Sequence, residues 1–126
     1  MIVSVGTDLI EISRIKKAIE KNNSFLQRIL TAEEQEQFAA RGSKAETVAG
    51  MFAAKEAVAK VLGTGIGKVS WHEIVILKDP EGAPFVKLKG AAGRVASHRG
   101  IDRVHISITH SRELAMAYAI GEGNHN

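Results

Sequence analysis

Met51-Phe52-Ala53-Ala54-Lys55-Glu56-Ala57-Val58-Ala59-Lys60-Val61-Leu62, followed at once by Gly63-Thr64-Gly65-Ile66-Gly67, is the stretch on which the fold turns. Its pattern is that of a long helix from about Lys44 to Leu62, with Gly63 as the C-cap. Phe52, Glu56 and Lys60 recur every four residues, which aligns an aromatic ring, a carboxylate and an ammonium along one helix face. Ala53, Ala54, Ala57 and Ala59 keep that helix slender, so other groups can come close to Glu56.

On the N-terminal side, Ile2 to Thr7 reads as a strand. Asp8 then reads as a helix N-cap, with Glu11 completing an Asp-x-x-Glu box and Ile12, Ile15, Ala18 and Ile19 following at helical spacing. Phe25 to Leu30 is a turn or two of helix, and Thr31-Ala32-Glu33-Glu34 is a standard capping box for a helix to about Ala40. Beyond the glycines the period changes. His72–Lys78 and Phe85–Lys89 are β-rich runs separated by the turn signal Asp79-Pro80-Glu81-Gly82-Ala83-Pro84. Ala91–Arg99 is a short helix. Arg103–Thr109 alternates, with Val104, Ile106 and Ile108 on one side and His105, Ser107 and Thr109 on the other. Leu114–Ile120 is a last strand, and residues 121–126 read as a frayed polar tail. The sum is one α+β domain over residues 1–126: helices packed on a small, largely antiparallel sheet that the N-terminal strand joins.

Composition removes several classes. The 126 residues hold no cysteine, which excludes a disulfide scaffold, a thiol nucleophile and a cysteine-ligated zinc site. The histidines at 72, 98, 105, 110 and 125 show no zinc spacing. No apolar run approaches a membrane span and no signal peptide leads the chain, so the cytoplasm is the default compartment. The net charge of +3 is modest, but Arg14, Lys16, Lys17, Lys21 and Arg28 face only Glu20 within their segment, a surface suited to an anionic partner.

Each chemical motif has a plainer reading beside it. Glu56 and Lys60 form an ordinary i,i+4 pair, which is worth only about 0.2–0.5 kcal/mol. As a pair they also suit phosphoryl chemistry, because a carboxylate can hold a hard cation and a lysine a phosphate. The Gly63–Gly67 loop has too few residues between its glycines for a P-loop and closes a helix where a dinucleotide fingerprint opens one. No Gly-x-Ser-x-Gly elbow accompanies the histidines.

Taken together, Gly6-x-Asp8 with Arg14 six residues on, Phe52-x-x-Lys55-Glu56-Ala57-x-x-Lys60 with Gly63-Thr64-Gly65, and His105-Ile106-Ser107-Ile108-Thr109-His110 resemble the signatures of the 4'-phosphopantetheinyl transferases. A single copy of each block in a short chain is similar to the acyl-carrier-protein type. The resemblance covers residues 1 to about 120. It implies transfer of 4'-phosphopantetheine from coenzyme A to a serine of an apo acyl carrier protein, releasing adenosine 3',5'-bisphosphate, a step that serves fatty acid biosynthesis. It further implies that Asp8 and Glu56 hold Mg²⁺, that Lys60 meets a phosphate, that Gly63 and Gly65 line the coenzyme pocket, and that small members form homotrimers with sites between subunits. On that pattern His105 and Thr109 reach the coenzyme from an adjacent chain. The serine's proton goes either to Glu56 or to a water. Arg14, Lys21 and Arg28, with Phe25 as an apolar anchor, are the expected docking contacts for the carrier protein. The competing reading is a non-enzymatic basic module for RNA or another polyanion, against which stands the lone aromatic Phe25 in the basic segment.

Overall fold

The computed structural model describes residues 1–124. Strand β1 (Ile2–Glu11) leads into α1 (Ile12–Lys21), α2 (Phe25–Ile29), α3 (Ala32–Ala40) and the long α4 (Ala45–Leu62). A 3₁₀ turn at Trp71–Glu73 precedes the hairpin β2 (Ile74–Lys78) and β3 (Pro84–Leu88). Helix α5 (Gly90–His98) and strands β4 (Arg103–His110) and β5 (Leu114–Glu122) complete the chain.

β5 lies at the centre of a three-stranded antiparallel sheet, flanked by β1 and β4, while β2 and β3 form a separate two-stranded ribbon. The expected single sheet is therefore divided in two. On one face of the three-stranded sheet β1 and β5 contribute small residues, Gly6 and Ala115, Ala117, Ala119 and Gly121, all buried, while β4 adds Val104, Ile106 and Ile108. Helix α4 lies against that face, with Val48, Ala53, Ala57, Val58 and Val61 wholly inaccessible to solvent. Small residues on both partners bring the backbones close together. A Cβ at Gly6 would strike the carbonyl oxygen of Ala57 and approach Lys60 Cβ to 3.0 Å. Ser4 Oγ closes the same contact by donating to the Val61 carbonyl at 2.6 Å.

The predicted boundaries hold for α3, α4 and β4. Thr31 and Glu34 make both bonds of the capping box at the start of α3. Gly63 ends α4 in the left-handed region at φ 78, donating to the carbonyls of Ala59 and Lys60, a conformation in which only glycine is unstrained.

The reading of Asp8 as a helix cap fails. β1 pairs with β5 along its full length, to Glu11 opposite Leu114, and Asp8 sits within it opposite Ala117. The ladder already occupies the backbone groups that a capping box would serve, so the helix waits until Ile12, whose N–H donates to Glu113 O at 2.9 Å. At the other end β5 continues through Gly121 and Glu122, and Gly123 N–H donates to Met1 O. The expected frayed tail is thus ordered as far as Asn124, and its residues 125–126 lie outside the described residues. His72 leaves the predicted strand because Ser70 and Glu73 cap the 3₁₀ turn that contains it.

Candidate active site

Alternation along β1 turns Gly6, Asp8 and Ile10 toward α4 and leaves Val5, Thr7 and Leu9 on the opposite face. The close approach permitted at Gly6 sets Asp8 beside the exposed rim of α4, where Glu56 and Lys60 project one turn apart. Lys60 Nζ donates to the Thr7 carbonyl at 2.7 Å and lies 3.7 Å from Asp8 Oδ1. The expected i,i+4 ion pair is not the one formed: the ammonium reaches across to β1, and no salt bridge joins it to Glu56 among the described residues.

Two carboxyls therefore share one neighbourhood with a single cation. Burial raises the pKa of Asp8, against the lowering effects of the nearby Lys60 ammonium and of the Leu9 N–H. Burial also raises Glu56, and the negative charge of Asp8 raises it further, while Lys60 pulls it down. Crowded, partly desolvated carboxylates of this kind are stabilised by a hard cation placed between them. Mg²⁺ takes one or two protein carboxylates and keeps several waters, so Asp8 and Glu56 fit it as a donor set. Among the described residues no cluster of three or more His, Cys, Asp or Glu offers a closed cage.

The glycine turn follows directly from this face of the helix. Gly63 packs against the guanidinium of Arg99, which donates to the Val61 carbonyl at 2.7 Å. Gly65 has open space where its side chain would be. Arg99 was not singled out in the sequence, and no local pattern marks it.

His105 and Thr109 are exposed on the face of β4 that points away from α4, opposite Ile120 and Met116 of β5. They lie on the other side of the sheet from Asp8 and Glu56, so one chain does not bring the two groups together. His105 Nε2 is also 2.9 Å from Glu122 Oε1, a carboxylate partner that competes with any anion. His110, at the end of the same strand, opens instead with Arg41 and Lys78 onto a cleft of about 270 Å³ walled by Phe38, Met51 and Ile108. Arg14, Lys21 and Arg28 are exposed on α1 and α2, whereas Phe25 is half-buried and spends part of its ring on the core.

Sequence reasoning missed the most buried charged pair in the described chain. Lys55 Nζ lies 2.7 Å from Glu34 Oε1, and both side chains are 0% exposed. Burial lowers the Lys55 pKa, and the charge of Glu34 opposes that effect. A signal was present: Met51, Lys55, Val58 and Leu62 share the spacing of the apolar stripe.

Residues 4–119 match the family model of the 4'-phosphopantetheinyl transferase superfamily. The chain belongs to that family. The holo-[acyl-carrier-protein] synthase of Alkaliphilus metalliredigens is 48% identical over 120 residues, 95% of this chain and 98% of its own length. That of Clostridium novyi is 47% identical over 126 residues, covering 100% and 91%. Among solved structures, the holo-[acyl-carrier-protein] synthase of Neisseria meningitidis superposes with a TM-score of 0.89 at 37% identity, over 97% of this chain and 99% of that one. The Helicobacter pylori enzyme in complex with coenzyme A gives 0.84 at 31% identity, over 94% and 100%. The non-enzymatic reading gives way to an enzyme, a phosphopantetheinyl transferase of α+β fold.

Proposed function

We propose that the chain transfers 4'-phosphopantetheine from coenzyme A to a serine of apo acyl carrier protein in the cytoplasm, that the reaction depends on Mg²⁺, and that it supplies fatty acid biosynthesis. The observation that carries this reading is the meeting of Asp8, Glu56 and Lys60 at the edge of α4, from positions far apart in the chain. Asp8 and Glu56 would hold the ion, whose charge would offset that building on the pyrophosphate during displacement. Lys60, already fixed by the Thr7 carbonyl, presents an ammonium for a phosphate oxygen. Gly65 leaves the backbone of the following turn bare, and Gly63, covered by the Arg99 guanidinium, would line the same coenzyme pocket. Glu56 is also a candidate to accept the serine proton, since burial and Asp8 both raise its proton affinity.

The active unit is proposed to be a homotrimer. Val5, Leu9, Leu114, Met116 and Tyr118 all lie exposed on the sheet face that carries His105 and Thr109. Contiguous apolar side chains of this kind mark an association surface. Seating a second copy there gives Thr109 and His105 a route to a coenzyme held at a neighbour's Asp8 and Glu56. Since His105 is held by Glu122, Arg41 and Lys78, which line one cleft with His110, are the better placed cations for further phosphates. Arg14, Lys21 and Arg28 form the docking face for the acidic carrier, with Phe25 as its apolar anchor.

Incubation with coenzyme A, Mg²⁺ and apo acyl carrier protein should add a phosphopantetheine mass to the carrier. Chelation of the metal should stop the gain. Glu56→Gln keeps shape and removes charge, and should lower transfer by about a thousandfold with the fold intact. Transfer at the wild-type rate by that variant would show that the metal assignment is wrong.

A further inference from the structure

The buried lysine beside Glu56 binds three acceptors from three different elements. Lys55 Nζ donates to Glu34 Oε1 of α3 at 2.7 Å, to the Ile29 carbonyl at the end of α2 at 2.7 Å, and to the Trp71 carbonyl at 2.9 Å. Glu34 is itself anchored, accepting from Thr31 N–H and from Ile76 N–H of β2 at 2.7 Å. Trp71 packs in a tilted arrangement against Phe52, centroids 4.9 Å apart, and Phe52 lies one turn before Glu56 on α4.

Helix α2 is too short to be stable alone, and its last carbonyls have no intrahelical partners. Side chains from elsewhere take them. Ile29 O receives Lys55, Gln27 O receives His72 Nε2 at 2.7 Å, and Leu30 O receives Gln35 Nε2 at 3.2 Å. The helix so fastened carries Arg28 exposed to solvent, with the half-buried Phe25 at its start.

We infer that Lys55 is a positioning residue for the transfer, its ammonium tying the end of the α2 docking helix to the turn of α4 that bears Glu56. The inference rests on the proposed docking and metal-holding roles of Arg28 and Glu56. A buried ion pair is in general weak evidence for stability. Here its placement does something a hydrophobic pair would not: it fixes the offset between the surface that holds the carrier and the carboxylate at which the carrier's serine reacts. Displacement of that serine by even an ångström costs much of the rate.

The test is a double-mutant cycle between Lys55→Met and Arg28→Ala, read as kcat and KM for the apo carrier and as KM for coenzyme A. Arg28→Ala alone should raise the carrier KM; no change there overturns the docking role and leaves the Lys55 tether to be judged by kcat. Lys55→Met should lower kcat/KM for the carrier by about tenfold with the coenzyme A KM within about twofold. The cost of Arg28→Ala should shrink on that background, because a displaced α2 no longer presents Arg28 correctly. Effects that simply multiply, or coenzyme A and carrier KM values that rise together, would overturn the inference. Should Lys55→Met not fold, the same cycle with His72→Ala, an exposed tether on the same helix end, decides the matter: coupling to Arg28 supports positioning through the α2 carbonyls, and independence rejects it.

Discussion

The two faces of the three-stranded sheet are made by the same strands and obey opposite rules. On the inner face, where β1 and β5 meet α4, the buried residues are Gly6, Ala115, Ala117, Ala119 and Gly121, and a charged pair sits at the rim. On the outer face β1 and β5 present large apolar side chains beside the polar row of β4, yet Leu9 is 61% exposed, Val5 53% and Tyr118 43%. The inner face shows how a carboxylate is brought to a helix: side-chain bulk is removed until backbones nearly touch, and the charged groups meet where the packing ends. The outer face leaves large apolar side chains exposed in a single chain, which is the ground for the proposed contact between copies.

The largest effect should come from restoring bulk to the inner face. Gly6→Val places a side chain against the Ala57 carbonyl and Lys60 Cβ, so α4 must move away from β1. Overpacking of this kind costs about 3 kcal/mol. The same shift separates Asp8 from Lys60 and Glu56, so transfer should fall far more than the folded fraction does. Val5→Ala, its outer-face neighbour, should leave monomer stability within about 1 kcal/mol. Thermal denaturation with activity per folded molecule distinguishes the two. Equal losses for both would erase the contrast between the faces.

A smaller effect on folding, but a decisive one on assembly, should follow from charging the outer face. Met116→Lys combined with Tyr118→Lys changes exposed positions on the central strand, so the far-UV spectrum should persist and the chain should lose about 1 kcal/mol at most from strand propensity. Three lysine pairs brought face to face should prevent association. Sedimentation should then report a monomer, and transfer should fall with it. A monomer of full activity would mean that one chain completes the site. An undisturbed oligomer would mean that the copies meet elsewhere.

The sequence showed the helix α4, its glycine stop and the polar–apolar alternation of β4 because those are local patterns with a single period. It did not show which face of β1 Asp8 would take. Asp-x-x-Glu reads as a cap as readily as a strand, and only pairing with β5, more than a hundred residues away, settles it. Lys60 likewise turned from Glu56 to Thr7 and Asp8 because tertiary contact outweighs an i,i+4 attraction of a few tenths of a kcal/mol. Lys55 was hidden by its residue type. The three acceptors that make its burial tolerable come from Ile29, Glu34 and Trp71, whose convergence no spacing encodes.

The smallest and most diagnostic effect is electrostatic. Asp8 and Glu56 at the inner rim have their pKa values raised, chiefly by burial, whereas Glu122 on the outer face has its value lowered, chiefly by the hydrogen bond from His105. A group with a raised folded pKa adds stability that is complete below its unfolded value and is lost as pH rises through the folded one. A group with a lowered folded pKa adds stability that is present above its unfolded value and is lost as pH falls through the folded one. Without divalent metal, the wild type should therefore lose melting temperature relative to Glu56→Gln as pH rises from about 4 to about 7, the side of the ordinary carboxylate range on which Glu56 ionises. Relative to Glu122→Gln it should lose melting temperature in the other direction, as pH falls below about 4.5. Added Mg²⁺ should remove the first difference, because a cation shared by Asp8 and Glu56 favours their charged forms, and should leave the second untouched. Parallel pH profiles for the wild type and Glu56→Gln would mean that the inner carboxylates are not in conflict, and the case for an ion between them would lose its physical ground.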